Sequence, residues 1–330
     1  MRSSAGAVAT LLRPISELHE PSEQSANADL AHKKGPDMPV TVTLDVFSGR
    51  PNPSWTLEDE EARQLLDRIH SIEQRTPLKT PGAEGQLGYR GFSLHSTAVS
   101  PFGQLRLQVH QGIIDPGPGD LSLVDEKLEI EKALLTSAGG RLDPAVAKHV
   151  EEALASGSKA ALEGRQLVFR PQLATCQPKA VDAPPYNPGK WNIPTVQPYN
   201  NCYNYANDLI TNTFAQPGRA HGKMYTALAC NGGPGVQPAA VADGLKAVSN
   251  FNNHLAKGQG WYVALVIWSG VDYHWYRQDA NGCWSHKPGG TAARNVDNSG
   301  HIITDPKTCN RGNYTVFCTY MVTHRGVVIR

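Results

Sequence analysis

The sequence predicts an α+β fold, and three observations lead to this class. Short runs of β-branched and apolar residues are mixed with helical patterns, without a regular βαβ repeat. Glycine and proline are frequent, with 31 and 24 residues in a chain of 330, which favours many turns and short elements. The apolar run at 261–268 (WYVALVIW) has the length and composition of a fully buried central strand.

Composition excludes several classes of function. The chain has 31 Lys and Arg against 30 Asp and Glu, and this net charge of +1 gives no drive toward nucleic acid or an anionic membrane. No run of about 18 apolar residues is present, so we predict no membrane span. We find neither a Cys/His spacing typical of zinc sites nor a phosphate-binding loop, and we predict no metal and no cofactor. The oligomeric state is left open.

The chain is predicted to contain two domains, at the usual size of about 150 residues each. Residues 1–37 are predicted to be a disordered or extension segment, with Met38 as a possible true start. Residues 38–170 form a small α+β domain of unknown role. A proline-rich linker, 171–194, then leads to a second domain at 195–330. Localisation is left open between the cytoplasm and export as an effector without a clear Sec signal.

The first domain is predicted from local patterns. We expect a helix from a Thr56 cap to Ile69 and another from Pro144 to Leu154, whereas 127–135 fits either a helix or a strand. Strands are expected at 40–47, 89–95 and 105–114. The turn-rich loop at 48–53 is interpreted as a structural turn, with a recognition loop as the alternative.

The second domain is organised around Cys202. Asn200 or Asn201 is suited to cap a helix that begins near the cysteine. The apolar face of that helix would consist of Tyr205, Ala206, Leu209 and Ile210. The partial positive charge of a helix N-terminus lowers the pKa of a thiol, as a nucleophilic cysteine requires. The alternative is a buried structural cysteine.

A hairpin follows the buried strand. In residues 279–282 (DANG), Asp at the first position and Gly at the fourth indicate a type I turn, with Gly282 in the left-handed position of a three-residue loop. This register places His286 opposite Tyr276, and it brings His274 to the same face as His286. We also expect a helix at 238–248 and strands at 301–305 and 314–322.

The order of these features resembles that of the papain-like superfamily. A cysteine on a helix is followed by a buried strand, then by a histidine on the next strand and a second polar ring on the strand after it. The likeness is to the NlpC/P60-type branch over about 195–325, and Asn201-Cys202-Tyr203, His274 and His286 carry it. It implies that Cys202 is the nucleophile, His274 its base and His286 the residue that orients the base. The branch's Asp-Cys-Ser-Gly is replaced by Asn-Cys-Tyr-Asn, so the substrate class does not carry over.

Thiol attack on a carbonyl also needs donors for the oxyanion. Gln197, Asn200 and Asn201 are the side-chain candidates near Cys202. Asp297 is the alternative third member, and Asp305 a further one, although each also fits a turn. His221 is interpreted as exposed.

The predicted function is therefore a thiol-dependent hydrolase, a peptidase or amidase, with a peptide or amide-containing substrate. One alternative is a transglutaminase-like acyl transferase that uses Cys202, His274 and Asp297. Another is a non-enzymatic carbohydrate- or protein-binding module, whose groove would be lined by aromatics of 261–287. Of the six cysteines, Cys309 and Cys318 flank a turn and are a candidate pair, and the disulfide state of the cysteines other than Cys202 is left open.

Overall fold

The computed structural model describes residues 39–80, 86–96, 105–157 and 175–330. Residues Met38–Arg330 belong to one compact unit. Helices and antiparallel sheets together confirm the α+β class. The predicted segment 1–37 lies outside the described residues, and the division into domains around 171–194 stays a prediction. No helix in the described ranges is long and apolar enough to cross a membrane.

The first half of the chain forms a seven-stranded antiparallel sheet. Its strands are β1 (Thr41–Leu44), β2 (Ser54–Thr56), β3 (Arg75–Thr76), β4 (Phe92–His95), β5 (Arg106–His110), β6 (Ile113–Asp115) and β7 (Ser122–Val124). They are ordered β2-β1-β4-β5-β6-β7-β3. The helices are α1 (Asp59–His70), α2 (Glu129–Ser137) and α3 (Pro144–Gly157). Residues 127–135, for which the sequence allowed a helix or a strand, are thus mainly helical. The predicted helix that begins at Pro144 is confirmed.

The second half forms a five-stranded sheet. Its helices are α4 (Pro188–Trp191), α5 (Cys202–Ala206) and α6 (Val236–Ala242). Its strands are β8 (Lys246–Val248), β9 (Trp261–Trp268), β10 (Asp272–Gln278), β11 (Trp284–His286) and β12 (Val316–Thr323). They are ordered β11-β10-β9-β12-β8, so the predicted central strand β9 lies in the middle of the sheet.

The apolar run of β9 is explained by burial on both faces of the sheet. Successive side chains of a strand point to opposite faces. Tyr262 and Val266 belong to a core that also includes Phe92 and other residues of the first half. Val263 and Leu265, in contrast, belong to a second core that contains Cys202. Neither face of β9 is therefore left for water, and no polar alternation is needed.

Several predicted boundaries were wrong for local reasons. The helix α1 is capped by Glu58, which forms a capping box with Glu61, and not by Thr56. The predicted helix at 238–248 ends at Ala242, because Gly244 has a φ of +107° and the chain then enters β8. The segment 301–305 makes isolated bridges and no strand.

Two disulfides, Cys176–Cys283 and Cys230–Cys318, lie within the second half of the chain. The candidate pair of Cys309 and Cys318 does not form, because Cys318 is joined to Cys230, and Cys309 is a free, half-buried thiol. The two side chains pack against different cores, Cys309 against the core shared with the first half and Cys318 against the core around Cys202. The sheet therefore separates them.

The double substitution Cys176→Ser, Cys283→Ser is expected to reduce the free energy of unfolding by about 2–5 kcal/mol, since it opens a long closed loop. Their separation of 107 residues sets the size of that loop. Urea unfolding measures the loss, with Cys309→Ser as the control that removes a thiol but no cross-link. An equal loss in both variants would contradict the assigned pairing.

Candidate functional site

The hairpin of β10 and β11 has the predicted register. Tyr276 pairs with His286. The turn closes through Asp279 N–H to the Cys283 carbonyl at 2.8 Å, and Gly282 has a φ of +85°. As expected, His274 and His286 lie on one face, and His274 Nε2 is 2.9 Å from His286 Nδ1.

Cys202 occupies the first position of α5, as predicted, and Asn201 is the cap. The Asn201 side chain accepts hydrogen bonds from the N–H groups of Tyr203 and Asn204 at 3.0 and 3.2 Å. The helix has only five residues, and Asp208 in a left-handed conformation follows its end. The expected continuation through Leu209 and Ile210 is therefore wrong.

The predicted lowering of the thiol pKa is also wrong. Cys202 is completely buried, and burial raises its pKa, with a further rise from the nearby Asp272 carboxylate. One helical turn provides too few aligned peptide dipoles to offset that desolvation. Cys202 is therefore a neutral thiol at physiological pH.

Ser48, from the first half of the chain, lies between the cysteine and the histidine. Its hydroxyl is hydrogen-bonded to His274 Nδ1. The Ser48 side chain also interacts with the Cys202 sulfur and lowers the pKa of the thiol, an effect that is smaller than the rise caused by burial. Ser48 and His274 are themselves completely buried. The predicted nucleophile and base are thus brought to one place, but they are bridged by a residue that the family likeness does not include.

The tautomers of His274 and His286 follow from the Val296 carbonyl, which is the final acceptor of this network. The Val296 carbonyl can only accept, so His286 Nε2 donates to it at 3.0 Å. A neutral His286 then accepts at Nδ1 from His274 Nε2–H, which leaves His274 Nδ1 to accept from the Ser48 hydroxyl. Burial lowers the pKa of His286 to about 3 and that of His274 well below its usual range, so both rings are neutral. The protons of both imidazole rings and of the Ser48 hydroxyl are thereby assigned.

The turn at residues 48–50, hereafter the 48–50 turn, is held by a buried carboxylate. Asp272 accepts from the backbone N–H groups of Ser48, Gly49 and Arg50 at 2.6, 3.1 and 3.1 Å. Tyr314 donates its hydroxyl to the same carboxylate at 2.6 Å. Burial raises the pKa of Asp272, and these hydrogen bonds act in the opposite direction.

The Gly49 carbonyl points into a set of three donors. Asn201 Nδ2, Gln216 Nε2 and Tyr273 Oη donate to it at 2.8, 2.8 and 3.1 Å. A Cβ atom at Gly49 would lie 2.5 Å from the Tyr273 ring, so only glycine fits. A donor set of the kind expected for an oxyanion is therefore present, but it is filled by the protein's own main chain.

The other oxyanion candidates have different roles. Asn200 connects two segments, because its side chain donates to the Val196 carbonyl and accepts from the Thr211 N–H. Gln197 contributes its backbone carbonyl, which accepts from Lys287 Nζ at 2.6 Å. Lys287 is buried among carbonyl groups, and burial lowers its pKa to about 7.

The alternative third members are turn residues. Asp297 accepts backbone N–H groups of Ser299, His301 and Asn310 at 2.9–3.0 Å, and no contact connects it to His274. Asp305 accepts from Tyr320 Oη at 2.6 Å. Within the described ranges, no group of three or more His, Cys, Asp or Glu residues is arranged to hold a metal ion.

The aromatic side chains expected to line a groove are core residues instead. Those of 261–287 are at most 9% exposed: Trp261, Tyr262, Trp268, Tyr273, Trp275, Tyr276 and Trp284. His221 is partly exposed, and its Nδ1 pairs with Asp243 at 2.8 Å. The predicted groove is therefore not formed by these rings.

Comparison with known proteins finds a relative named insoluble matrix shell protein 1, from Ruditapes philippinarum. The two sequences are 48% identical over 136 residues, which cover 41% of this chain and 87% of that protein. No family model matches the chain. No solved structure matches it either.

This finding corrects the predicted function. The relative is named as a matrix protein and not as a hydrolase, so the prediction of a cysteine protease or amidase is wrong. The physical reason lies in the network around Cys202, where burial raises the pKa of the thiol and the Ser48 hydroxyl is hydrogen-bonded to His274 Nδ1. The catalytic roles given to Cys202, His274 and His286 belonged to that rejected reaction.

Gly49→Ala is expected to lower the free energy of unfolding by about 1–3 kcal/mol, because the added methyl group overlaps a packed Tyr273 ring. Gly140→Ala is the matched control, since a Cβ there meets no atom within 4 Å. Thermal and urea unfolding give the comparison. Equal stabilities of the two variants would refute the close approach.

The free energy of unfolding is expected to fall as the pH is lowered from about 6.5 toward 3. His286 has its pKa lowered to about 3 in the folded state, so the unfolded chain binds more protons across this window. His286→Gln removes this contribution, worth on the order of 5 kcal/mol over the full window, and makes the pH dependence shallower, while the lowered pKa of His274 maintains a slope of the same sign. The exposed His301 provides the control variant His301→Gln. Identical slopes for wild type and His286→Gln in urea unfolding at several pH values would contradict the assignment.

Proposed function

Because the chain belongs to the family of insoluble matrix shell protein 1, we propose that it is a non-enzymatic structural protein of an insoluble shell-type matrix. The observation that carries the proposal is the bridging of Cys202 and His274 by Ser48, deep in the protein. Groups that no substrate reaches serve the fold. In this proposal the network is a fixed connection between the two halves of the chain.

The cysteine pairing supports a location outside the cell. Two disulfides, Cys176–Cys283 and Cys230–Cys318, use four of the six cysteines. Disulfides form and persist in oxidising environments, as secreted proteins experience, and are rare in the cytosol. We therefore propose that the chain acts in a secreted matrix.

We propose that this chain shares the architecture of the papain-like superfamily but not its reaction. The order of α5, β9, β10 and β11 carries Cys202, His274 and His286 in the sequence that the superfamily uses. In this chain those residues would be a retained framework, in which the ring of His274 has become a hydrogen-bonding group of the core.

Binding to a matrix polymer, either carbohydrate or protein, requires an exposed surface. Several large apolar side chains of the described residues are exposed, and Tyr199, with 55% exposure, is the aromatic residue among them. Its backbone is fixed, because its carbonyl accepts from Phe214 N–H at 2.9 Å and Lys287 donates to the neighbouring carbonyls. A ring on a rigid segment loses little entropy on binding, so we propose Tyr199 as a contact to the polymer.

The proposal is tested by sedimentation of the purified chain with demineralised shell matrix and with chitin particles. We expect wild type and Cys202→Ala to sediment equally, because the thiol has no chemical role. Tyr199→Ala should weaken binding by about tenfold, the effect of losing one aromatic contact of about 1.4 kcal/mol. Val241→Ala removes an apolar side chain of similar exposure, 49%, and is the control.

Two results would overturn the proposal. One is that wild type stays in the supernatant with both materials. The other is rapid alkylation of Cys202 by iodoacetamide in the folded chain, together with loss of matrix binding in Cys202→Ala.

A further inference from the structure

The 48–50 turn is bound by the second half of the chain in the way that a receptor binds a peptide. The site that holds it consists of Asn201, Gln216, Asp272, Tyr273 and Gly289, hereafter the turn site. We propose that the turn site is a peptide-recognition site, and that in a concentrated matrix it also accepts the 48–50 turn of a second copy of this chain. Exchange of this kind would link copies through contacts that the fold already contains.

The turn site recognises the main chain almost completely. Three successive N–H groups, those of residues 48–50, donate to Asp272. The Ser48 carbonyl accepts from Gly289 N–H at 2.9 Å, and the Gly49 carbonyl accepts from three side chains. Surfaces that bind peptides obtain affinity from such main-chain hydrogen bonds and specificity from side-chain positions.

Each of the three positions also carries a side-chain requirement. The first needs a hydroxyl, because Ser48 is hydrogen-bonded to His274. The second admits only glycine, because the Tyr273 ring lies against it. The third favours arginine, whose Nη1 donates to the Val271 carbonyl at 2.6 Å. The ligand class is thus a Ser-Gly-Arg turn, which this chain itself provides.

No cross-link prevents exchange between copies. Both disulfides join residues from 176 onward, and in the described ranges none connects residues 39–157 with residues 175–330. The two parts are joined in sequence by residues 158–174.

The protein concentration determines whether the 48–50 turn occupies the turn site of its own chain or that of a second copy. A tethered turn has an effective concentration on the order of millimolar at its own site, so dilute chains fill their turn sites internally. An exchanged pair makes the same contacts and loses mainly the entropy of joining two molecules. A condensed matrix reaches the concentrations at which exchange competes. The inference rests on the proposed function in this respect alone.

The test uses two full-length variants with complementary defects. Gly49→Ala damages the turn but leaves the turn site intact, whereas Asp272→Asn damages the site but leaves the turn intact. The two are unfolded in urea with disulfides intact and refolded together at about millimolar concentration. Only an exchanged pair contains one undamaged turn in one undamaged site. The other site then combines both defects, and we expect their joint cost to be smaller than their sum because a turn that is already displaced by Gly49→Ala loses less when Asp272 is replaced.

We expect native mass spectrometry to show mixed dimers of the two variants at least tenfold above the level obtained with Gly140→Ala in place of Gly49→Ala. If either variant fails to fold alone, refolding together should still recover folded mixed dimers. Wild type prepared with and without isotope label, refolded together, should form mixed dimers whose share increases with concentration.

Unmixed monomers at every wild-type concentration would overturn the proposal. Wild-type dimers without preferential pairing of the two variants would also overturn it, because exchange would then use other contacts. A negative result accompanied by normal sedimentation with shell matrix would leave the proposed function intact and reject only the exchange.

Discussion

The buried carboxylate of Asp272 is the group on which the rest of the structure depends. A carboxylate without water is stable only when its lone pairs are filled by donors. Three N–H groups of the 48–50 turn and the Tyr314 hydroxyl fill them here. The turn therefore takes a single position, which brings Ser48 to His274 and the Gly49 carbonyl to its three donors. The two halves of the chain are joined by this arrangement of charge and dipole as well as by apolar contact.

The same network explains why the surroundings of Cys202 differ from those of a nucleophilic cysteine. A nucleophilic cysteine needs a lowered thiol pKa and a base that can accept its proton. Here burial raises the thiol pKa, and His274 already accepts the Ser48 proton and donates its own to His286. The residue types and their order match those of a cysteine hydrolase, whereas the thiol and both imidazole rings are neutral, as is usual for groups buried in a protein core.

Local chemistry made part of this site predictable. The turn at 279–282 fixes the hairpin register within four residues, so the juxtaposition of His274 and His286 followed from sequence. The cap by Asn201 and the buried strand β9 were likewise readable from short patterns. Ser48 was not, because it meets His274 across 226 residues of sequence and no local pattern encodes such a contact. The glycine at 49 inside a polar turn was the available signal.

The remaining errors have the same origin. The helix expected at 238–248 was interrupted by a single glycine with positive φ, and the helix at Cys202 ended after one turn because Asp208 adopts a left-handed conformation. Pairing of Cys318 with Cys230 depended on which face of the sheet each thiol meets. Tertiary position overrode local propensity in each case.

The burial of β9 on both faces has a consequence for the order of folding. Its two faces are covered by segments far apart in sequence, and the connection from Ser48 to Asp272 spans 224 residues. Chains dominated by such distant pairings fold slowly, since loop-closure entropy is lost before any contact compensates it. A ribosome releases the 48–50 turn long before Asp272 exists. The nascent first half must therefore keep an apolar sheet face from aggregating until the segments that cover this face are synthesised.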